Sequence, residues 1–196
     1  MYARSSTLLA KKSSLNRGIA FLGDELMPEM LTIDGCVGLS LLVDRETGRC
    51  VATSSWQDEE AMHASEGRVP PLRKRLMSAF GASGLTNDEW EVVVMHREHR
   101  AADGAYARVT YLRADPARAD ESIETFKSLL PVIDVAPGFC SASLLLNRES
   151  GRAASNVVFD TSAALDQTGT QAKRAEIIEV ADFELAVAHL RVPELV

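Results

Sequence analysis

Cysteine is scarce in this 196-residue chain: three in all, an odd number without metal-type spacing, which excludes a disulfide framework. If Glu46 and Thr47 form the tip of a hairpin, Val43 faces Cys50 and the partner of Cys36 falls near Gln57, so these two thiols cannot bridge. All three are expected to be small buried hydrophobes. Long apolar runs are missing too. Stretches such as LSLLV are too short to span a bilayer, and MYARSSTLLAKKSS lacks the apolar core of a signal peptide, so a cytoplasmic protein with no membrane partner is expected. Positive charge is in deficit, with a net charge of −7 and a pI near 5.2, which argues against sequence-independent binding to nucleic acid. There is no glycine-rich phosphate loop, G-x-S-x-G elbow, H-E-x-x-H or paired CxxC. No cofactor and no metal site are therefore expected.

What is present is a soluble, globular composition, 46% hydrophobic and 25% charged, long enough for one large domain or two small ones. The chain also repeats itself. LSLLVDRETGRCVATSSW, from Leu39 to Trp56, returns as ASLLLNRESGRAASNVVF, from Ala142 to Phe159. The same register pairs Pro28 with Pro131 and Gly35 with Gly138. One residue further, Tyr2, Ala3 and Arg4 fall on Tyr106, Ala107 and Arg108, and Ile19, Leu22 and Leu26 fall on Ile123, Phe126 and Leu130. Later, Trp90, Glu91, Val94 and His96 match Phe183, Glu184, Val187 and His189, so the second copy is shorter after its hairpin. The repeats are assigned to residues 1–102 and 103–196, joined through HREHRAADGAY.

Each copy spells the same elements. Tyr2 to Leu9 reads as a strand, and Leu15, Ile19, Leu22 and Leu26 at helical spacing predict a helix ending before Pro28. In the second copy Asp115 and Pro116 supply an N-cap and an N1 proline for the corresponding helix. The hairpin follows, with Gly48 and Gly151 where a short loop needs positive φ. Asp58, Glu59 and Glu60 suit the start of a second helix, and WEVVVMHR or FELAVAHL is the last strand. The order is β-α-β-β-α-β, the ferredoxin-like unit. One such unit covers only one face of its sheet, and the bare face must be buried. The fold class expected is α+β, two tandem ferredoxin-like repeats forming a dimeric α/β barrel within one chain, a pseudo-dimer whose further oligomerisation is left open.

With its strand, tryptophan and acidic helix start, most clearly in SSWQDEEAMHAS, the chain resembles the antibiotic biosynthesis monooxygenase family of the dimeric α/β-barrel superfamily. The resemblance covers nearly the whole chain. It implies a cofactor-independent oxygenase that holds a small electron-rich aromatic, typically a polyphenol, between sheet and helices, stabilises its anion and lets it react with dioxygen. The alternative in a different class is a non-catalytic module binding a small apolar ligand. The haem-degrading branch implies an asparagine on the first strand and a histidine about ten residues after the tryptophan; YARSSTLL has no asparagine and Glu66 stands at the second position, so haem is not expected.

Four residues are singled out. Trp56 matches the family's tryptophan and could wall a substrate cavity, or simply anchor the second helix to the sheet. His96 and His189 occupy equivalent places on the last strands, each on an apolar face, and either could serve as general base or be a hydrogen-bonded structural imidazole. Asn156, the counterpart of Thr53, could bind a substrate oxygen or be satisfied locally. His63 and His99 are given no catalytic or metal role. Arg68, Arg73, Lys74 and Arg75 form a solvated face or hold an acidic ligand. The pocket is expected in the first copy, where Thr53, Ser54 and Ser55 are more polar than Asn156, Val157 and Val158, and where the extra residues from His63 through Phe80 could cover it.

Overall fold

The computed structural model describes residues 1–102, 104–167 and 176–190. The limits proposed for the repeats, 1–102 and 103–196, meet at Asp103, which lies outside these residues, as do 168–175 and 191–196. The chain divides into two compact units, Met1–Glu89 joined by the segment from Leu185, and Trp90–Glu184.

In the first unit β1 (Tyr2–Leu9), β2 (Cys36–Val43) and β3 (Arg49–Trp56) precede the long strand β4 (Leu85–Arg97). β3 lies antiparallel between the other two, pairing Tyr2 with Trp56 on one side and Val43 with Cys50 on the other. The hairpin register is the expected one, except that a bulge between Cys36 and Gly38 brings Cys36 opposite Trp56 rather than Gln57. Gly48 takes φ +84° at the tip, and the Asp44 carboxylate accepts from the amides of Glu46 and Thr47. Helices cover this sheet: α1 (Leu15–Phe21), a π-helical turn (Leu22–Leu26), α2 (Met27–Met30), α3 (Glu59–Ala64) and α4 (Val69–Phe80). Asp58 caps α3 by accepting from the Ala61 amide at 2.8 Å.

The first helix does not stop before Pro28. It runs on through the π turn into α2, which holds Pro28 in its first turn. A proline cannot donate to the turn behind it, and the widened i→i+5 turn absorbs the lost bond without breaking the rod. In the second unit α5 (Ala119–Asp134) likewise carries Pro131 within its last turn.

That unit repeats the plan with β5 (Tyr106–Arg113), β6 (Phe139–Asn147), β7 (Arg152–Phe159), α6 (Ser162–Asp166) and β8 (Glu176–Leu190). The hydrogen-bonded strand order β1-β3-β2-β8-β5-β7-β6-β4 closes into an eight-stranded barrel. Among the described residues no helix is long and apolar enough to cross a membrane.

Each unit has its own core. Leu22, Leu41, Trp56 and Phe80 are fully buried in the first, with Ala186 and Val187 of β8 packed against them. Val94, Phe139, Phe159 and Leu165 lead the second. A fully buried side chain of this size contributes about 1.5–3 kcal/mol of apolar transfer energy, so these clusters outweigh any single surface contact.

Candidate functional site

Period-two alternation sets Tyr2, Arg4, Ser6 and Leu8 on the helix-covered face of β1, and Ala52, Ser54 and Trp56 on the same face of β3. Three polar side chains thus interrupt an apolar surface. Beside them lies a partly open cavity of about 40 Å³. Its floor is Ser6, Leu39 and residues 52–54; Leu22 and Leu26, the ends of the π turn, form one wall, and Leu72, Arg73 and Leu76 of α4 another. The cavity lies in the first unit, and α4 comes from the segment that lengthens the first copy.

Arg4 is only 3% exposed. Its guanidinium donates to Glu89 Oε1 through Nε at 2.8 Å and Nη2 at 2.6 Å, and Nη2 lies 2.6 Å from Glu66 Oε1. The other oxygen of Glu89 is 3.2 Å from His63 Nε2. Burial on its own would raise the Glu89 carboxyl, but the hydrogen bonds from Arg4 and His63 and their charges hold it below the usual carboxylate range. Ser6 Oγ donates to Asn87 Oδ1 at 2.7 Å. Ser54 Oγ receives the Trp56 indole N–H at 3.0 Å and donates to the Arg4 carbonyl at 3.4 Å.

Arg73 stands apart from this saturated network. Its Nη2 is buried and has no hydrogen-bond partner among the described residues. Burial, with the neighbouring charge of Arg4, draws its pKa below the ordinary guanidinium value, although Glu66 and Glu89 pull the other way. A guanidinium has five donors and no acceptor capacity. A buried donor at the edge of a cavity suits an anionic or carbonyl oxygen.

The four residues selected from sequence fall into two places. Trp56 and His189 belong to the first unit, His96 and Asn156 to the second. Trp56 is wholly buried in the core and does not line the cavity. His189 Nε2 is buried without a partner among the described residues, and the His189 backbone runs so close to Gly38 that a side chain at position 38 would collide with its carbonyl. His96 Nε2 lies 2.8 Å from Asp134 Oδ1, and the ring stacks on Phe139 with centroids 5.9 Å apart. Asn156 Nδ2 donates to Ser143 Oγ at 3.3 Å.

Sequence names Arg73 only within a basic cluster that forms a solvated face or holds an acidic ligand, and it does not single out Arg4 or Glu89. The signal for Arg4 was present: alternation places it between Tyr2 and Leu8 on the buried face. The repeat gives a second signal, because Arg108 and Asp182 occupy the positions corresponding to Arg4 and Glu89 and also form a two-bond ion pair, at 2.7 Å for each bond. The matched pair therefore goes with the unit, whereas Arg73 sits on the α4 segment that the second copy lacks at the same length.

Two ferredoxin-like units in tandem, their eight strands joined in one hydrogen-bonded order, make a fold that solved structures share. A candidate monooxygenase from Lactobacillus acidophilus NCFM superposes with a TM-score of 0.71 at 12% identity, covering 97% of this chain and 96% of that one. An anthrone oxidase-like protein gives 0.66 at 12% identity, over 99% and 94%. A ferredoxin-fold protein related to antibiotic biosynthesis monooxygenases, from Listeria monocytogenes 4b F2365, gives 0.53 at 9% identity, over 93% and 94%. The same barrel occurs in a heme-degrading enzyme of Listeria monocytogenes, at 0.53 and 8% identity, over 94% and 99%. At these identities the likeness is one of fold. No protein-family model matches the chain. Relatives by sequence occur in Mycobacterium tuberculosis. The uncharacterized protein Rv2557 of Mycobacterium tuberculosis strain H37Rv is 46% identical across the whole chain and 92% of that protein. Rv2558 of the same strain is 44% identical across the whole chain and 88% of its own length. The chain belongs to the family of these two proteins.

Proposed function

We propose that the protein is a cofactor-independent monooxygenase of the antibiotic biosynthesis type, taking a small, acidic, electron-rich aromatic into the cavity of the first unit. The observation that carries this reading is the buried Nη2 of Arg73, without a partner among the described residues, beside an otherwise largely apolar cavity. A polyphenol or aromatic ketone presents that pattern in reverse, an apolar ring with one oxygen that becomes anionic. Holding that oxygen at a fixed cation, away from water, favours the anion over its neutral acid. The anion is the species that reduces dioxygen. Electron transfer and recombination give a hydroperoxide at the carbon, and loss of water leaves a carbonyl. A ring methylene and dioxygen thus become a ketone and water, with the substrate as sole reductant.

Of the two strand histidines, His189 suits the role of base, because its Nε2, in the same unit, has no partner among the described residues; His96 is committed to Asp134 and Phe139. Trp56 acts one bond away, orienting Ser54 at the cavity floor. Ligand pockets are commonly about 300 Å³ or more, against about 40 Å³ here. Binding therefore requires the helical wall to yield, and the π turn from Leu22 to Leu26 is the irregular part of that wall.

The second reading is a binding module without chemistry, favoured by the fact that no histidine lines the cavity. One experiment separates the two. Oxygen consumption is followed with a panel of polyphenols and anthrones, while a Trp90→Phe variant leaves Trp56 as the fluorescent reporter of binding. Uptake that saturates, and falls at least tenfold in Arg73→Met with the melting temperature preserved, supports the oxygenase. Saturable quenching without oxygen uptake establishes the binding module instead. Neither binding nor uptake across the panel, or full activity in Arg73→Met, refutes the assignment.

A further inference from the structure

The second unit holds three potential metal ligands that the sequence keeps far apart. His99 follows β4, Cys140 is the second residue of β6, and Asp160 follows β7. His99 and Asp160 are 61 positions apart, Cys140 and Asp160 20. In the fold His99 Nε2 is 3.1 Å from Asp160 Oδ1, Cys140 Sγ is 3.2 Å from the same oxygen, and the three donor atoms all lie within 4.8 Å of one another.

We propose that His99, Cys140 and Asp160 form a binding site for a divalent transition-metal ion, with zinc the best match. One nitrogen, one sulfur and one oxygen donor suit a borderline-soft ion. With zinc bonds of about 2.0–2.3 Å, the donors of a tetrahedral site stand roughly 3.3–3.6 Å apart, so the triad needs shifts of only a few tenths of an ångström at its two measured edges. Binding sends the Cys140 thiol proton to solvent. Thiolate, carboxylate and neutral imidazole around a doubly charged ion then give a site of zero net charge. Cys140 is wholly buried, while the His99 and Asp160 side chains are 43% and 40% exposed. A fourth position therefore opens to water.

Backbone contacts hold the donors in place. The amides of Glu98 and His99 donate to the Cys140 carbonyl at 2.9 and 3.3 Å, and the Asp160 amide donates to the Gly138 carbonyl at 2.8 Å. The first unit supplies an internal control. There the matching corner closes in the same way, with the Gln57 amide donating to the Gly35 carbonyl at 2.9 Å, yet the residues corresponding to Cys140 and Asp160 are Val37 and Gln57. The turn is thus built without ligands. Cysteine and aspartate at the second corner are not demanded by its geometry.

This inference is independent of the oxygenase reading, and it is tested on the full chain stripped of metal by a chelator. Titration with Zn2+ in a calorimeter should show one equivalent bound at micromolar affinity or better. Cobalt(II) should give a thiolate-to-metal charge-transfer band that persists in Cys36→Ser and disappears in Cys140→Ser. His99→Gln, at an exposed position where folding is not at stake, should weaken zinc binding at least tenfold, as should Asp160→Asn. An unchanged zinc isotherm in His99→Gln and Cys140→Ser, a cobalt band that survives Cys140→Ser, or no binding at micromolar zinc would overturn the site.

Discussion

Replacing Gly18 by alanine sets two effects of opposite sign against each other. Gly18 lies in the middle of α1, where alanine is favoured over glycine by about 1 kcal/mol. The space around it argues the other way. A Cβ built on Gly18 would lie 2.6 Å from Cγ of Phe80 and closer still to Cδ1 and Cε1. Phe80 is wholly buried at the end of α4, so its ring cannot swing into solvent. Overpacking of this kind costs about 1–3 kcal/mol, and it should win. The expected result is a net loss of up to about 2 kcal/mol, hence a fall in melting temperature of up to roughly 8 °C for a chain of this size. Urea unfolding followed by circular dichroism measures it. Gly23→Ala is the paired control, since a Cβ at that position meets nothing within 4 Å; that variant should be neutral or slightly stabilised. Combining Gly18→Ala with Phe80→Leu should recover part of the loss, because the coupling belongs to that one contact. A Gly18→Ala protein as stable as the parent, with no coupling to position 80, would show that α1 and α4 are not packed as described.

Two further outcomes follow from the first unit. Because the Glu89 carboxyl is held below its ordinary value of 4.5, its contribution to stability should be complete above that pH and vanish as the pH falls through the lower folded value. At 41% exposure solvent screening keeps the effect under about 1 kcal/mol. Acid titrations of wild type and Glu89→Gln should therefore converge at low pH and separate above it; parallel curves would refute the assignment. Residues 1–101 expressed alone lack Ala186 and Val187, which pack on the first core. They should dimerise or aggregate, and a well-dispersed, stable monomer on sedimentation would contradict this reading.

Much of the fold is written locally. The hairpin is spelled twice, its glycines mark the tips, and alternation with caps marks most strand and helix limits, because these depend on neighbours within a turn or two of chain. The prolines show where that logic ends. Pro28 reads as a helix stop, but burial of Leu26 and Met30 outweighs a missing backbone hydrogen bond, so the rod continues, and its counterpart Pro131 also lies inside a helix. The site was less legible for the same kind of reason. Tryptophan and histidine advertise chemistry by residue type alone, and sequence favoured them. Whether Trp56 faces a ligand or the core is settled by the helices above it.

Sequence by itself determined the tandem ferredoxin-like plan, since hydrophobic period and turn chemistry are properties of consecutive residues. Tertiary structure alone decided which arginine keeps a free donor. Arg4 and Arg73 both feel the carboxylates of Glu66 and Glu89, but among the described residues it is Arg4 that forms ion pairs with them, and that allocation depends on where α4 crosses the sheet. It also decided that His99, Cys140 and Asp160 share one corner, because the start of β6 and the ends of β4 and β7 meet there through pairings between residues distant in the chain.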